Sequence, residues 1–154
     1  MKQILFFSLF LCFIGCIKDK VGHTKSLIKN TTMHTIKLLP YKGATLDNAN
    51  IKIVPANSTV EVYDANVRGK TIEPSFGTLL QPYDSVLVTY DDIVKIPHIK
   101  FNLSYAGSHR ILFTSSRSIS NQNNWTKAIT NETKNSIQGD FTYTFVEQDY
   151  LDAR

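Results

Sequence analysis

Residues 140–147 read "DFTYTFVE", and this stretch decides the class of fold. Phe141, Tyr143 and Phe145 alternate with Thr142 and Thr144, so an extended backbone sends three rings to one face and two hydroxyls to the other. A helix would scatter the rings around its girth. The same period of two recurs at 98–107, "HIKFNLSYAG", where Ile99, Phe101, Leu103 and Tyr105 oppose Lys100, Asn102 and Ser104. These two stretches are the cleanest alternations in the chain, and both predict half-buried strands.

Weaker copies of the pattern lie upstream. In "DSVLVTYDD" (84–92), Val86, Val88 and Tyr90 share a face, and in "MHTIKLLPY" (33–41), His34, Ile36 and Leu38 oppose Thr35 and Lys37. "NIKIVPANSTVEVYD" (50–64) predicts a hairpin: Ile51 and Ile53 alternate with Lys52, Pro55-Ala56-Asn57 signals the turn, and Val60 and Val62 alternate with Glu61. "HRILFTSS" (109–116) is a shorter apolar run. Glycine and proline punctuate these runs about every ten residues. The expected fold is therefore all-β, an antiparallel β-sandwich, with a small barrel as the alternative. A parallel α/β sheet needs a crossover helix after each strand, and the sequence has no such pattern. Helix is expected in only two places: a turn or two within 121–135, where Trp125 and Ile129 stand four apart, and a final turn in "VEQDYLDAR".

The chain opens differently. Lys2 precedes an apolar run from Ile4 to Ile14, and Gly15-Cys16 gives way at once to charged residues. A basic start, a short apolar middle and a small residue at the break make a secretory signal. The run is too short to cross a bilayer, which takes about 20 apolar residues. Residues 1–15 are thus read as a signal peptide, 16–26 as a short polar tether and 27–154 as one β domain. Phe13-Ile14-Gly15-Cys16 resembles a bacterial lipobox, and that resemblance implies a diacylglycerol thioether on Cys16. The chain holds two cysteines, Cys12 inside the signal and Cys16 at its end, so no disulfide within the domain is expected. The core must carry the fold alone, and 42% hydrophobic with 11% aromatic residues supply the means.

Net charge is +4, with the basic residues scattered along the chain, which is no footprint of nucleic-acid binding. His34, His98 and His109 lack the spacing of a metal motif, and His23 falls in the tether. No G-x-S-x-G elbow is present. Asp91 and Asp92, with Asp84, form the main acidic concentration besides Glu147, Asp149 and Asp152. Neighbours on a strand point to opposite faces, so Asp91-Asp92 is expected to cap a hairpin turn after Tyr90, accepting backbone N–H groups. The calcium-loop pattern is missing. Trp125 is read as closing a core edge rather than as a sugar platform. No cofactor is expected. Five Asn-x-Ser/Thr sequons, at Asn30, Asn57, Asn102, Asn124 and Asn131, are read as a by-product of an Asn- and Thr-rich composition.

The lipobox, the Lys/Asn/Ile-leaning composition, the "DSVLVTYDD" strand and the ending "FTYTFVEQDY" together resemble the small lipoproteins of the Bacteroidota. That resemblance implies attachment to the outer membrane, since Ile17 rather than an aspartate follows the cysteine; it carries no catalytic residues. Asp84-Ser85-Val86 matches the short O-glycosylation pattern of the same group. The expected function is a lipid-anchored, non-enzymatic binding or structural module of the cell envelope, meeting a protein or glycan partner. The alternative is an envelope hydrolase or accessory with a site built across strands around Asp91, Asp92 and His98.

Overall fold

The computed structural model describes residues 21–69, 71–74, 83–100 and 109–154, and among them the chain is mostly strand. The elements, in order, are β1 (Val21–Asn30), β2 (Ile36–Lys42), β3 (Thr45–Leu46), β4 (Lys52–Val54), β5 (Thr59–Arg68), β6 (Ser85–Tyr90), β7 (Val94–Ile99), β8 (Ile111–Leu112), β9 (Thr126–Glu132), β10 (Ser136–Phe145) and a short helix α1 (Glu147–Asp152). Two sheets form. Sheet A runs β5-β1-β10-β9, and sheet B runs β3-β2-β6-β7-β8 with β4 also paired to β2. Neither closes on itself, so the sandwich-like arrangement holds and the barrel does not.

The decisive stretch does what its period demands. Ile137, Phe141, Tyr143 and Phe145 of β10 are buried between the sheets. Opposite them stand Val86, Val88 and Tyr90 of β6 and Ile36 and Leu38 of β2, all on one face as their alternation predicts. Phe145 meets Tyr90 and Tyr143 edge to face, at centroid separations of 6.4 and 4.9 Å. The final turn also forms, as α1. The stretch at 98–107 lies mostly outside the described residues, which include only His98 and Ile99 at the end of β7 and Lys100 beyond it.

Four expectations are corrected. The sheets are not wholly antiparallel, because β1 pairs with β10 in parallel and β8 pairs with β7 in parallel. The tether does not extend to Ser26: Val21 begins a ten-residue strand held on both sides by β5 and β10, so the domain starts at least six residues before position 27. The alternation there is concealed, since the buried positions are Gly22, Thr24, Ser26, Ile28 and Asn30, four of them small or polar. The predicted hairpin at 50–64 is no hairpin. β4 joins sheet B and β5 joins sheet A, so Pro55-Ala56-Asn57 carries the chain from one sheet to the other. Val54 is the buried side chain, while Ile53 is exposed. Finally, 121–135 is a single 3₁₀ turn at Gln122–Asn124 followed by β9, an edge strand with every residue exposed. Trp125 is buried and Ile129 exposed, so they do not share a helical face.

Polar groups hold the crossing points. Asn30, fully buried, shares its amide hydrogens among the carbonyls of His34, Val54 and Pro55 at 2.8–3.1 Å, and its Oδ1 accepts from the Thr32 N–H and hydroxyl. One side chain therefore ties β1 of sheet A to β4 of sheet B. Near the other end of β1, Ile72 lies across two strands. A Cβ on Gly22 would stand 2.8 Å from Ile72 Cγ2 and 2.6 Å from Val67 Cγ2, and one on Gly139 would stand 2.5 Å from Ile72 Cδ1. Glycine is required at these positions by close approach rather than by dihedral angle.

Candidate functional site

Chemistry-bearing side chains gather where β1 stops and β10 passes into α1. His34 follows the Asn30 clamp, which fixes its backbone carbonyl. Its Nδ1 lies 2.6 Å from Asp91 Oδ2, its Nε2 lies 3.5 Å from Glu147 Oε1, and its ring stacks on Tyr150 at 3.8 Å. Asp91 also accepts the Thr35 N–H at 2.8 Å, and the hydrogen bond from His34 together with this N–H lowers the pKa of its carboxyl. Asp91 and Asp92 both have positive φ, 51° and 62°, and form the expected turn after Tyr90. Asp92 turns away to pair with Lys37.

His98 is not with them. It sits four residues beyond Val94, about 13 Å along the strand, wholly buried against Phe145. Its Nδ1 accepts the Ile119 N–H at 3.1 Å, which places the ring proton on Nε2. Burial, and secondarily the charge of Arg117, push its pKa down to about 3, so it is a neutral core group. The site imagined around Asp91, Asp92 and His98 is therefore not brought together. Asp84 caps a different turn, accepting the Gly43 N–H at 2.6 Å, and His23 pairs with Asp64 across β1 and β5 at 2.7 Å. Trp125 closes the core edge as expected, its indole N–H donating to the Ile119 carbonyl at 3.0 Å. Cys16 lies outside the described residues. No three His, Cys, Asp or Glu side chains among the described residues converge as metal ligands would.

A second cluster was not legible in the sequence. Arg117 donates through Nε to Asp149 Oδ1 at 2.7 Å, through Nη2 to Asp149 Oδ2, and from Nη2 to the Thr144 carbonyl at 3.0 Å. Asp149 is 5% exposed, and its carboxylate also accepts the Val146 N–H at 2.8 Å, capping α1. The Tyr143 hydroxyl donates to the Arg117 carbonyl at 2.7 Å, and the guanidinium lies 5.6 Å from the Tyr143 ring centre. Arg117 is thus fixed along one edge while its side chain stays 39% exposed. It lines a cleft of about 300 Å³ together with Ile96, His109, Arg110, Ile111, Ser115 and Asp152. His109 Nε2 lies 2.5 Å from the Asp152 carbonyl at the end of α1, closing one wall. Arg117 and Asp149 stand 32 residues apart in sequence, beyond any local spacing rule.

No protein-family model, curated protein or solved structure matches this chain.

Proposed function

We propose that this protein is a lipid-anchored binding module of a bacterial cell envelope, held to the outer membrane through Cys16, and that it takes a small anionic group in the Arg117 cleft. One observation carries the reading of the cleft. An arginine whose Nε edge is locked by a buried carboxylate presents the rest of its planar donor set without having to order itself on binding. Ile96 and Ile111 offer an apolar wall beside it, and Arg110 and His109 add polar ones. The volume is at the lower end of ligand sites, suited to one acidic side chain of a protein or one uronic acid of a glycan rather than to a nucleotide. Phe13-Ile14-Gly15-Cys16 supports the anchor, and the scatter of Asp91, Asp92 and His98 removes the support for the strand-built hydrolase site.

The test uses hexanoate, glucuronate and inorganic phosphate as probes, with thermal unfolding of the purified protein as the readout. At least one probe should raise the melting temperature, and Arg110→Gln should reduce that rise relative to the variant's own unliganded value. No shift with any probe removes the cleft from consideration. For the anchor, globomycin should make the precursor accumulate, and Cys16→Ser should release the domain from the membrane fraction.

A second reading has one observation in its favour. His34 and Asp91 form the carboxylate–imidazole pair that orients a general base, although Nε2 faces Glu147 rather than a hydroxyl. Hydrolysis of envelope-type esters that disappears in His34→Gln but persists in Arg110→Gln would favour this reading over the first.

A further inference from the structure

We propose that the end of sheet A where β1 begins is a docking surface for the anionic headgroups of the membrane, leaving α1 and its cleft wall turned toward water. This rests on the anchor at Cys16 proposed above and adds an orientation to it.

Chain length restricts the geometry first. Only residues 17–20 separate Cys16 from Val21. Even fully extended, that link reaches about 17 Å, whereas the ten residues of β1 cover about 30 Å. The link cannot grow by peeling the strand. Val21 is paired with Arg68 on one side and Ser136 on the other, and its N–H donates to the Asn135 carbonyl at 3.0 Å. An anchored domain therefore keeps the Val21 end close to the bilayer.

Charge then separates docking from mere proximity. β5 ends and β10 begins beside Val21, so Arg68, Lys134 and Asn135 cluster there, all exposed. Neither Arg68 nor Lys134 has a carboxylate partner among the described residues. Glu132, at the edge of this end, and the exposed Glu73, whose carbonyl receives the Thr24 hydroxyl, are the acids nearest to them among the described residues. Val21, 46% exposed, adds an apolar contact. The opposite end carries Asp91, Asp92, Glu147 and Asp152 alongside Lys37, which pairs with Asp92, and Arg154 beside Tyr150, so acids there outnumber these two bases. Each cation near an anionic bilayer favours contact roughly fivefold, and the effect fades within a Debye length, so these side chains act only when this end is down. Because β10 runs from this end into α1, the helix that supplies Asp152 to the cleft stands at the far end of the strand.

The experiment uses the full-length lipidated protein in phosphatidylcholine vesicles with and without phosphatidylglycerol. The sequence holds only Cys12, within the signal, and Cys16, which the lipid occupies, so Asn135→Cys and Gln148→Cys each give a single labelling site. Energy transfer from the label to a headgroup acceptor should be several-fold stronger at position 135 than at 148 in anionic vesicles. The Arg68→Glu/Lys134→Glu double variant should lose most of that difference without leaving the membrane. Equal transfer at both sites, or a difference indifferent to phosphatidylglycerol and to charge reversal, overturns the docking while the anchor survives. Mass spectrometry of the N-terminus is the separate control: an unmodified Cys16 overturns the anchor and the docking together.

Discussion

β1 and β10 lie side by side in parallel, each ten residues long and each burying every second side chain, yet their inner faces are opposites. β10 presents Ile137, Gly139, Phe141, Tyr143 and Phe145; β1 presents Gly22, Thr24, Ser26, Ile28 and Asn30. One face fills the core and the other receives it. Ile72 occupies the room above Gly22 and Gly139, the Thr24 hydroxyl donates to the Glu73 carbonyl at 3.1 Å, and Asn30 gathers three carbonyls from two other segments. A central strand can thus be specified by what reaches into it rather than by what it contributes.

Substitutions at the two faces should separate these roles, and the largest effect belongs to the face that fills. Phe145→Ala leaves a void among Tyr90, Tyr143 and His98 and should cost about 3–5 kcal/mol, measured by urea unfolding. A loss under ~1 kcal/mol would mean that the sheets close over the gap and that β10 is not the dominant filler. On the receiving face, Asn30→Ala orphans buried carbonyls and the Thr32 N–H, and a loss of about 3 kcal/mol should follow. It should come with faster hydrogen exchange at Thr32, since the clamp between sheets goes with it.

Acid offers a test through His98, whose ring edge touches Phe145. Its folded pKa of about 3 lies below the unfolded value, so the unfolded chain takes the proton first. Stability from this source is whole above about pH 6.5 and falls by about 1.4 kcal/mol per pH unit as pH drops toward 3. His98→Phe should flatten the slope between about pH 6.5 and 4.5, before carboxylates titrate, and an unchanged slope would place the proton uptake elsewhere. Smaller again is Gly22→Ala, where the new methyl meets the stiff γ-methyls of Val67 and Ile72, for a loss of about 2 kcal/mol. Gly139→Ala should cost less, because the atom nearest it is the free end of Ile72. Smallest is Ser26→Ala. Among the described residues the buried hydroxyl has no hydrogen-bond partner, so its removal should be neutral or stabilising by up to about 1 kcal/mol. A clear loss there would reveal a partner for Ser26.

The same contrast explains what could be read from the residues alone. β10 and β6 were legible because large side chains repeat with a period of two. β1 reads as a linker because Gly22, Thr24 and Ser26 conceal the identical period behind small side chains. β9 failed for the opposite reason: as an exposed edge it needs no apolar face, and Lys127 and Asn131 look like loop. The segment at 50–64 showed two strands and a turn correctly, but a turn residue such as Asn57 does not reveal whether the chain returns to the same sheet or leaves it. At the site, Asp91 reads as a turn residue and is one, whereas its pairing with His34, 57 residues away, and that of Arg117 with Asp149 are not legible, because ion pairs formed through tertiary structure leave no periodic trace.

The parallel pairing of β1 with β10 also dictates a timetable. The first and last described strands are immediate neighbours, so a nascent polypeptide emerging amino end first can zip β1 onto β5 early but must wait for nearly all of its length before the remaining edge of β1 finds its mate. Closing so long a loop is slow, and until it closes the β1 ladder stays open to other chains. Refolding of this protein from urea should therefore be slower and lose more material to aggregation at high concentration than its modest size implies.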